Sequence, residues 1–268
     1  MSVVVVDDGS RIPVDGAIRR EVAGGPAAAR NDGVRGVETE LVAFLDSDTA
    51  PPAGWIEALA GHFEDPTVAA VAPRVRARNT RRSPLDMGKH PAEVGPGKHV
   101  SYVPAAALLM RRAALPDDPF DPALRYGEDV DLIWRLIDAG WRVRYDPSVI
   151  VEHEERETLK RRFKYGTSAA PLKQRHPGKL KHVVIRPWPA ATLALLAARK
   201  PRLAALAYAA QTLLLARTLR KHHVPIHLAP LWTAKATVKT ATQFARLATP
   251  YGVGVLYGAL RYEDFQLS

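Results

Sequence analysis

Three clusters of acidic residues stand where carboxylates could do chemistry. Asp46-Ser47-Asp48 follows the apolar run Leu41-Val42-Ala43-Phe44-Leu45. Alternate residues of an extended segment point the same way, so both carboxylates can converge on one hard divalent cation and, through it, on phosphate. A solvated turn with a helix cap at Thr49 explains the same residues equally well. Asp7-Asp8-Gly9-Ser10 closes the run Val3-Val4-Val5-Val6. A carboxylate at such a strand end, where open α/β sheets place ligands, can accept hydrogen bonds from a base N–H or from ribose hydroxyls. Taken alone, these residues read as an ordinary Asp-Gly turn. Tyr126-Gly127-Glu128-Asp129-Val130-Asp131-Leu132 puts three acids in the first turn of a predicted helix. The helix dipole stabilises anions there, which is a capping reading. Three acids in four residues, beside a glycine that permits close approach and with like charges raising at least one pKa, equally suit a general base.

The elements that must position these residues alternate along the chain. Val3–Val6 has the β-branched character of a short buried parallel strand. Arg30 to Val37 has helical character, and the run 41–45 is a second strand. Trp55, Ile56, Leu59 and Phe63 recur at helical spacing after Pro51-Pro52, and Val68–Ala72 is a third buried strand. Arg74 to His99 lacks periodicity and is expected to be a long loop. Val100 to Met110 is predicted extended. A helix then opens at Glu128, with apolar positions Val130, Ile133, Trp134 and Ile137, and stops at Gly140. Val143, Tyr145, Val149 and Val151 predict further extended segments up to His153. This order predicts an α/β fold with a mixed, mainly parallel sheet flanked by helices.

Beyond Glu157 the style changes. A basic helix is expected over Leu159–Gln174, and Leu203–Leu219 places Leu203, Leu206, Ala207, Ala210, Leu213 and Leu214 on one face. The chain has 268 residues, 47% of them hydrophobic, which is ample for a sizeable core. With no cysteine, disulfides, thiolate zinc sites and cysteine nucleophiles are excluded, and a cytoplasmic location fits. The net charge of +10 hides a division. Residues 156–268 hold 20 Lys/Arg against Glu157, Glu263 and Asp264, a charge of +17, whereas residues 1–155 hold 18 Lys/Arg against 25 acids, a charge of −7.

Two organisational units are therefore expected, with boundaries 1–157 and 158–268. The basic unit has few aromatics among its basic residues and no nucleic-acid-binding signature, so peripheral contact with an anionic membrane surface is favoured over nucleic acid. Arg199, Lys200, Arg202 and Arg217 leave only 203–216 uncharged, short of the roughly 20 apolar residues of a spanning helix. An interfacial or packed amphipathic helix at the inner face of the membrane is the better reading. Met1 leads into Val3–Val6 without a basic segment or cleavage site, so no signal peptide is predicted.

One ordered set of motifs carries a resemblance. Val-Asp-Asp-Gly-Ser (6–10), Ala-Arg-Asn-Asp-Gly-Val (29–34), Phe-Leu-Asp-Ser-Asp (44–48), Gly-Glu-Asp-Val-Asp-Leu (127–132), Arg135-Leu136, Ala139-Gly140 and Tyr145-Asp146-Pro147, ending at His153, resemble family-2 inverting glycosyltransferases of the GT-A fold. Tyr165 to Pro171 and Arg175-His176-Pro177 further resemble the mycofactocin-system glycosyltransferases. The resemblance implies that Asp8, with Asp7, contacts the uridine of a UDP-sugar donor and that Arg30 lies near the nucleotide. It implies Mg²⁺ or Mn²⁺ on Asp48 and Asp46, with His153 either completing the metal shell or standing as a satisfied histidine at a strand end. It also implies Asp129 as catalytic base, with Glu128 beside it near the acceptor.

The expected reaction is metal-dependent transfer of a hexose, glucose from UDP-glucose, to an acceptor hydroxyl, with a peptide-derived mycofactocin as the implied acceptor. Pro104-Ala105-Ala106-Ala107 matches a small-residue segment on the acceptor side, or is an unremarkable strand. Family members begin with another strand and helix, which predicts either a start upstream of Met1 or a shortened, weakly active protein. The alternatives are a truncated, non-catalytic transferase-like binding protein and a membrane polyprenyl-phosphate sugar transferase.

Overall fold

The computed structural model describes residues 2–79, 83–154, 159–180, 186–221 and 225–265. Its centre is a six-stranded mixed sheet built from β3 (Leu41–Leu45), β4 (Thr49–Ala50), β5 (Val68–Ala77), β6 (Ala92–Glu93), β7 (Ala107–Arg111) and β8 (Arg142–His153). The path runs β3-β7-β5-β8-β4, with β6 pairing with β8. The α/β class is as expected. Parallel pairing is scarcer than expected: β7 inserts antiparallel between β3 and β5, so only β5–β8 pairs in parallel within this sheet.

The sheet buries both faces. Ala70 and Ala72 of β5 face a core shared with Phe44, Leu108, Met110 and Trp134. Val71 and Val75 face a second core with Leu109, Val151, Trp55 and Leu59, the last two from α2 (Trp55–Ala60). Each such buried aliphatic or aromatic side chain contributes roughly 1.5–3 kcal/mol.

Three segments differ from their expected form. The stretch 74–99 is not all loop: β5 runs on to Ala77 because Arg74 to Ala77 pair with Ile150 to His153, and Ala92–Glu93 pair with β8. The pairing slips between Pro73 and Arg74, where partners jump from Asp146 to Ile150. Pro147 lies in the skipped segment, and proline cannot donate to a ladder. Val3–Val6 does not form a buried central strand. β1 (Val6–Asp7) pairs in parallel with β2 (Ile18–Arg19) in a separate two-stranded sheet, leaving Val3 74% and Val5 47% exposed. Val100–Met110 is regular only from Ala107.

Two helices serve the sheet edge. α1 (Pro26–Arg35) starts with proline, whose fixed φ and missing N–H suit a first helical position. Its buried Asn31 donates to the Phe120 carbonyl at 2.7 Å and accepts from the Phe120 amide at 2.9 Å. α3 (Glu128–Asp138) has three acids in its first turn and Arg135 in its last, both favourable to the helix dipole. Its apolar residues Leu132, Ile133, Trp134 and Leu136 are buried.

The C-terminal half is helical: α4 (Leu159–Thr167), α5 (Ala169–Arg175), α6 (Pro187–Ala197), α7 (Pro201–Lys221), α8 (Ala229–Leu247) and α9 (Pro250–Phe265). The single basic helix expected over 159–174 is thus two helices. The expected unit boundary at 157/158 lies outside the described residues. α4 and α9 cross with backbones in contact. A Cβ on Gly166 would lie 2.0 Å from the Tyr251 carbonyl oxygen, and one on Gly254 2.0 Å from that of Phe163. Among the described residues no helix is long and apolar enough to cross a membrane.

Candidate active site

β3 ends at Leu45 and delivers Asp46, whose amide donates to the Ala106 carbonyl at 3.0 Å. The Thr49 hydroxyl turns back to the Asp46 carbonyl at 2.6 Å, and β4 then pairs with the end of β8, Thr49 opposite His153. This register explains why Asp48 Oδ1 and His153 Nε2 lie 3.4 Å apart although 105 residues separate them in sequence. The His153 ring is buried, and its Nδ1 has no hydrogen-bond partner among the described residues.

Arg30, on α1, joins two of the acidic clusters. Its Nη2 donates to Asp46 at 2.6 Å, its Nη1 donates to Glu128 at 2.8 Å, and the guanidinium lies 5.3 Å from the Phe120 ring centroid. Burial opposes the Arg30 charge, but Asp46 and Glu128 outweigh it and raise the group above its ordinary value. The planar fork of arginine suits such a two-carboxylate bridge; the point charge of lysine does not.

Gly127 launches α3 from a left-handed conformation, φ 82°. Glu128 turns to Arg30, and Asp129 stands beside it with Oδ1 accepting from its neighbour's Val130 amide at 2.8 Å. The N-cap residue, Gly127, has no side chain to cap the helix, and Asp129 takes up one of the first-turn amides instead. Burial and the neighbouring Asp129 push the Glu128 carboxyl up to about 7, with Arg30 pulling the other way. Burial raises Asp129 as well, against Arg30. A raised carboxylate beside its twin is suited to exchanging a proton near neutral pH.

These groups share one cavity of about 1040 Å³. Asp46, Asp48, Arg30 and His153 line one part of it, Glu128, Asp129, Pro104 and Ala106 another, and Tyr102, Trp134, Tyr165, Leu172 and Tyr251 complete its wall. Tyr126 and Tyr165 meet edge to face, ring centroids 5.6 Å apart. Burial pushes the Tyr102 hydroxyl well above its ordinary range, with a further push from Asp129. Among the C-terminal contributors, Leu172 falls within the basic helix expected over 159–174 and Tyr251 carries no local signal in the sequence. Tyr165 was visible only inside a motif.

Asp7 and Asp8 lie outside this lining. Asp7 accepts from the Ser10 amide at 2.8 Å and pairs with Arg19; Ser10 and these partners hold its carboxyl at about 2. Asp8 accepts from the amides of Gly24 at 2.8 Å and Gly25 at 2.7 Å, and pairs with Arg20 at 3.0 Å. Gly25 itself borders the cavity, so Asp8 shapes its rim through the backbone.

Among the described residues no three His, Asp or Glu side chains form a ready metal cluster. Asp48 and His153 do converge, and one hard carboxylate with one imidazole is a donor pair that Mn²⁺ or Mg²⁺ accepts when phosphate oxygens and water fill the shell. Asp46 is held by Arg30 and would join only on exchanging that partner.

A mixed sheet with carboxylates at its edge, facing a helix that carries more of them, is a GT-A-like architecture. Residues 1–115 match the model of Glycosyl transferase family 2, so the chain carries a domain of that family. More specifically, it is 45% identical over 211 residues to the pre-mycofactocin glycosyltransferases of two strains of Mycobacterium tuberculosis, CDC 1551 / Oshkosh and ATCC 25618 / H37Rv. That alignment covers 69% of the chain and 45% of each relative, so the chain spans less than half the length of the curated relatives it matches. In fold it is similar to the mannosyltransferase PcManGT from Pyrobaculum calidifontis, solved in complex with GDP-Man and Mn²⁺. The TM-score is 0.50 at 18% identity over 95% of this chain and 77% of that one.

Proposed function

We propose that this chain is a metal-dependent, inverting glycosyltransferase that moves a hexose, glucose from UDP-glucose, to an acceptor hydroxyl in mycofactocin glycosylation. The observation that carries the reading is the Arg30 bridge, which ties Asp46, at the candidate metal-diphosphate end of the cavity, to Glu128, at the candidate acceptor end. In this reading Asp129 takes the proton from the acceptor hydroxyl as its oxygen forms a bond to the anomeric carbon. The bond from that carbon to the UDP oxygen breaks, and inversion at the carbon follows from the single displacement. Arg30 supplies positive charge near the departing diphosphate. Asp48 and His153, with Asp46, would hold a divalent cation, which supplies further charge to the diphosphate oxygens. Asp8 supports the nucleotide end through the Gly24-Gly25 backbone. The similarity to the pre-mycofactocin glycosyltransferases supports the acceptor.

In the same reading residues 1–157 form the transferase unit and residues 158–268 a helical region that closes the cavity and seats the protein on the inner face of the membrane. No acid occurs between Thr158 and Tyr262. α7 exposes Leu206 by 66% and Leu213 by 63%, flanked by exposed Arg202 and Arg217, a pattern complementary to anionic lipid.

The test is transfer from UDP-glucose with Mn²⁺ or Mg²⁺, comparing wild type with Asp129→Asn and Asp48→Ala. Loss of transfer with retained donor binding in Asp129→Asn is expected; undiminished turnover would overturn the assignment. Donor binding without hydrolysis or transfer by wild type would favour the non-catalytic reading, and product extractable into organic solvent a polyprenyl-phosphate acceptor. Flotation with phosphatidylglycerol vesicles but not with phosphatidylcholine vesicles is the expected membrane result.

A further inference from the structure

We infer that His176, acting through Asp131, is a positioning residue for Asp129, so that the basic helical region takes part in fixing the proposed base. This rests on the proposed role of Asp129. Asp131 follows Asp129 by two residues on α3, but whereas Asp129 lines the cavity, Asp131 does not. Two residues apart on a helix do not face the same way, so the contacts of Asp131 set the direction in which Asp129 points.

Two of those contacts come from the end of α5 and the residue after it, and one from α3 itself. His176 Nε2 lies 2.9 Å from Asp131 Oδ1, with both side chains buried. Arg135 donates to Oδ2 at 2.8 Å, and Arg175 Nη1 approaches Oδ1 at 3.7 Å. The His176 ring meets Trp134, one turn further along α3, edge to face with centroids 5.2 Å apart. Lys179 pairs with Asp138 at the end of the helix and donates to the Trp134 carbonyl at 3.3 Å. At the helix start a Cβ on Gly127 would come within 2.9 Å of Leu172 Cδ1 on α5. α3 is thus gripped along its whole length by the segment 172–179. Without His176 the buried Oδ1 keeps only Arg175 at 3.7 Å while Arg135 still holds Oδ2, an imbalance that is costly and is relieved by movement of Asp131 and of the turn that carries it.

The experiment uses the whole chain with His176→Ala and His176→Gln, the latter keeping an N–H donor close to Nε2. Transfer from UDP-glucose is assayed, and amide hydrogen exchange is followed over Glu128–Leu132. His176→Ala is expected to lower kcat roughly 10- to 100-fold while donor KM stays within about twofold, with most of the rate restored by Gln. Exchange in the first turn of α3 rises in the Ala variant while β5 and β7 keep their protection. Wild-type kcat in His176→Ala, equal losses in Ala and Gln, or exchange that rises across the sheet would each overturn the inference. If wild type transfers no sugar, the proposed function falls by itself. Unchanged exchange over Glu128–Leu132 in His176→Ala would then overturn the positioning role, and a rise confined to those amides would uphold it.

Discussion

Asp48 and His153 face each other at 3.4 Å because β4, immediately after Asp48, pairs with the last residues of β8. An acid at the end of one strand and an imidazole at the end of another are brought to one corner of the sheet, with the His153 Nδ1 buried behind them and unpartnered among the described residues. A cation at that corner would compensate the carboxylate and give the imidazole an electrostatic purpose.

His153→Ala and Asp48→Ala should therefore weaken Mn²⁺ binding. A decrease of roughly 10- to 100-fold in affinity is expected for His153→Ala, and at least as much for Asp48→Ala. Titration of Mn²⁺ by electron paramagnetic resonance in the presence of UDP checks this. Unchanged affinity in both variants would remove the pair from the metal site.

Arg30→Ala leaves Glu128 and Asp46 without their shared partner. Breaking a buried ion pair costs about 3–5 kcal/mol, and the openness of Asp46 to solvent brings the expected loss here to roughly 2 kcal/mol. Urea denaturation should show a lowered midpoint with an unchanged slope. Arg30→Lys should recover part of the stability and little activity, because one ammonium cannot span both carboxylates.

The rate should rise with pH as the Glu128–Asp129 pair loses its proton. Burial pushes Glu128 up to about 7 and raises Asp129 as well, so acid pH favours the protonated pair and holds back the proposed base. Glu128→Gln removes the like charge and should move the rising limb of kcat to lower pH. The stability sign is opposite. A carboxyl whose folded pKa lies above its unfolded value binds its proton more tightly in the folded state. This contribution is therefore present at acid pH and is lost as pH rises from the ordinary Glu value of 4.5 towards 7. A kcat profile that is flat between pH 5 and 8 would contradict the assignment.

Gly127→Ala should be harmful on two counts. Its φ of 82° is strained for any other residue, and the added methyl would press on Leu172. A loss of roughly 1–3 kcal/mol is expected by thermal or urea denaturation. Leu172→Ala should relieve the clash but not the strain, recovering only part of the loss.

Much of this site is legible in the sequence because strand and helix periodicity carry it. Asp46 and Asp48 follow a clean apolar run, and Glu128 and Asp129 open a helix whose apolar spacing is plain. The rest depends on long-range packing. Nothing local marks Arg30 as the link between the two clusters, since its partners lie 16 and 98 residues away. Val3–Val6 has the composition of a buried strand, but pairing rather than composition decides burial, and β1 pairs only with the exposed β2 among the described residues. His176 shows in the sequence as part of Arg175-His176-Pro177, without a hint of Asp131 as its partner.

The glycine contact between α4 and α9 has a consequence for how the pocket is put together. Asp46, Asp48 and His153 reach the cavity from the sheet, whereas Tyr251 reaches it from α9, whose backbone lies against Gly166. Floor and roof thus come from distant parts of the chain, and the close approach that the glycines permit brings the one over the other.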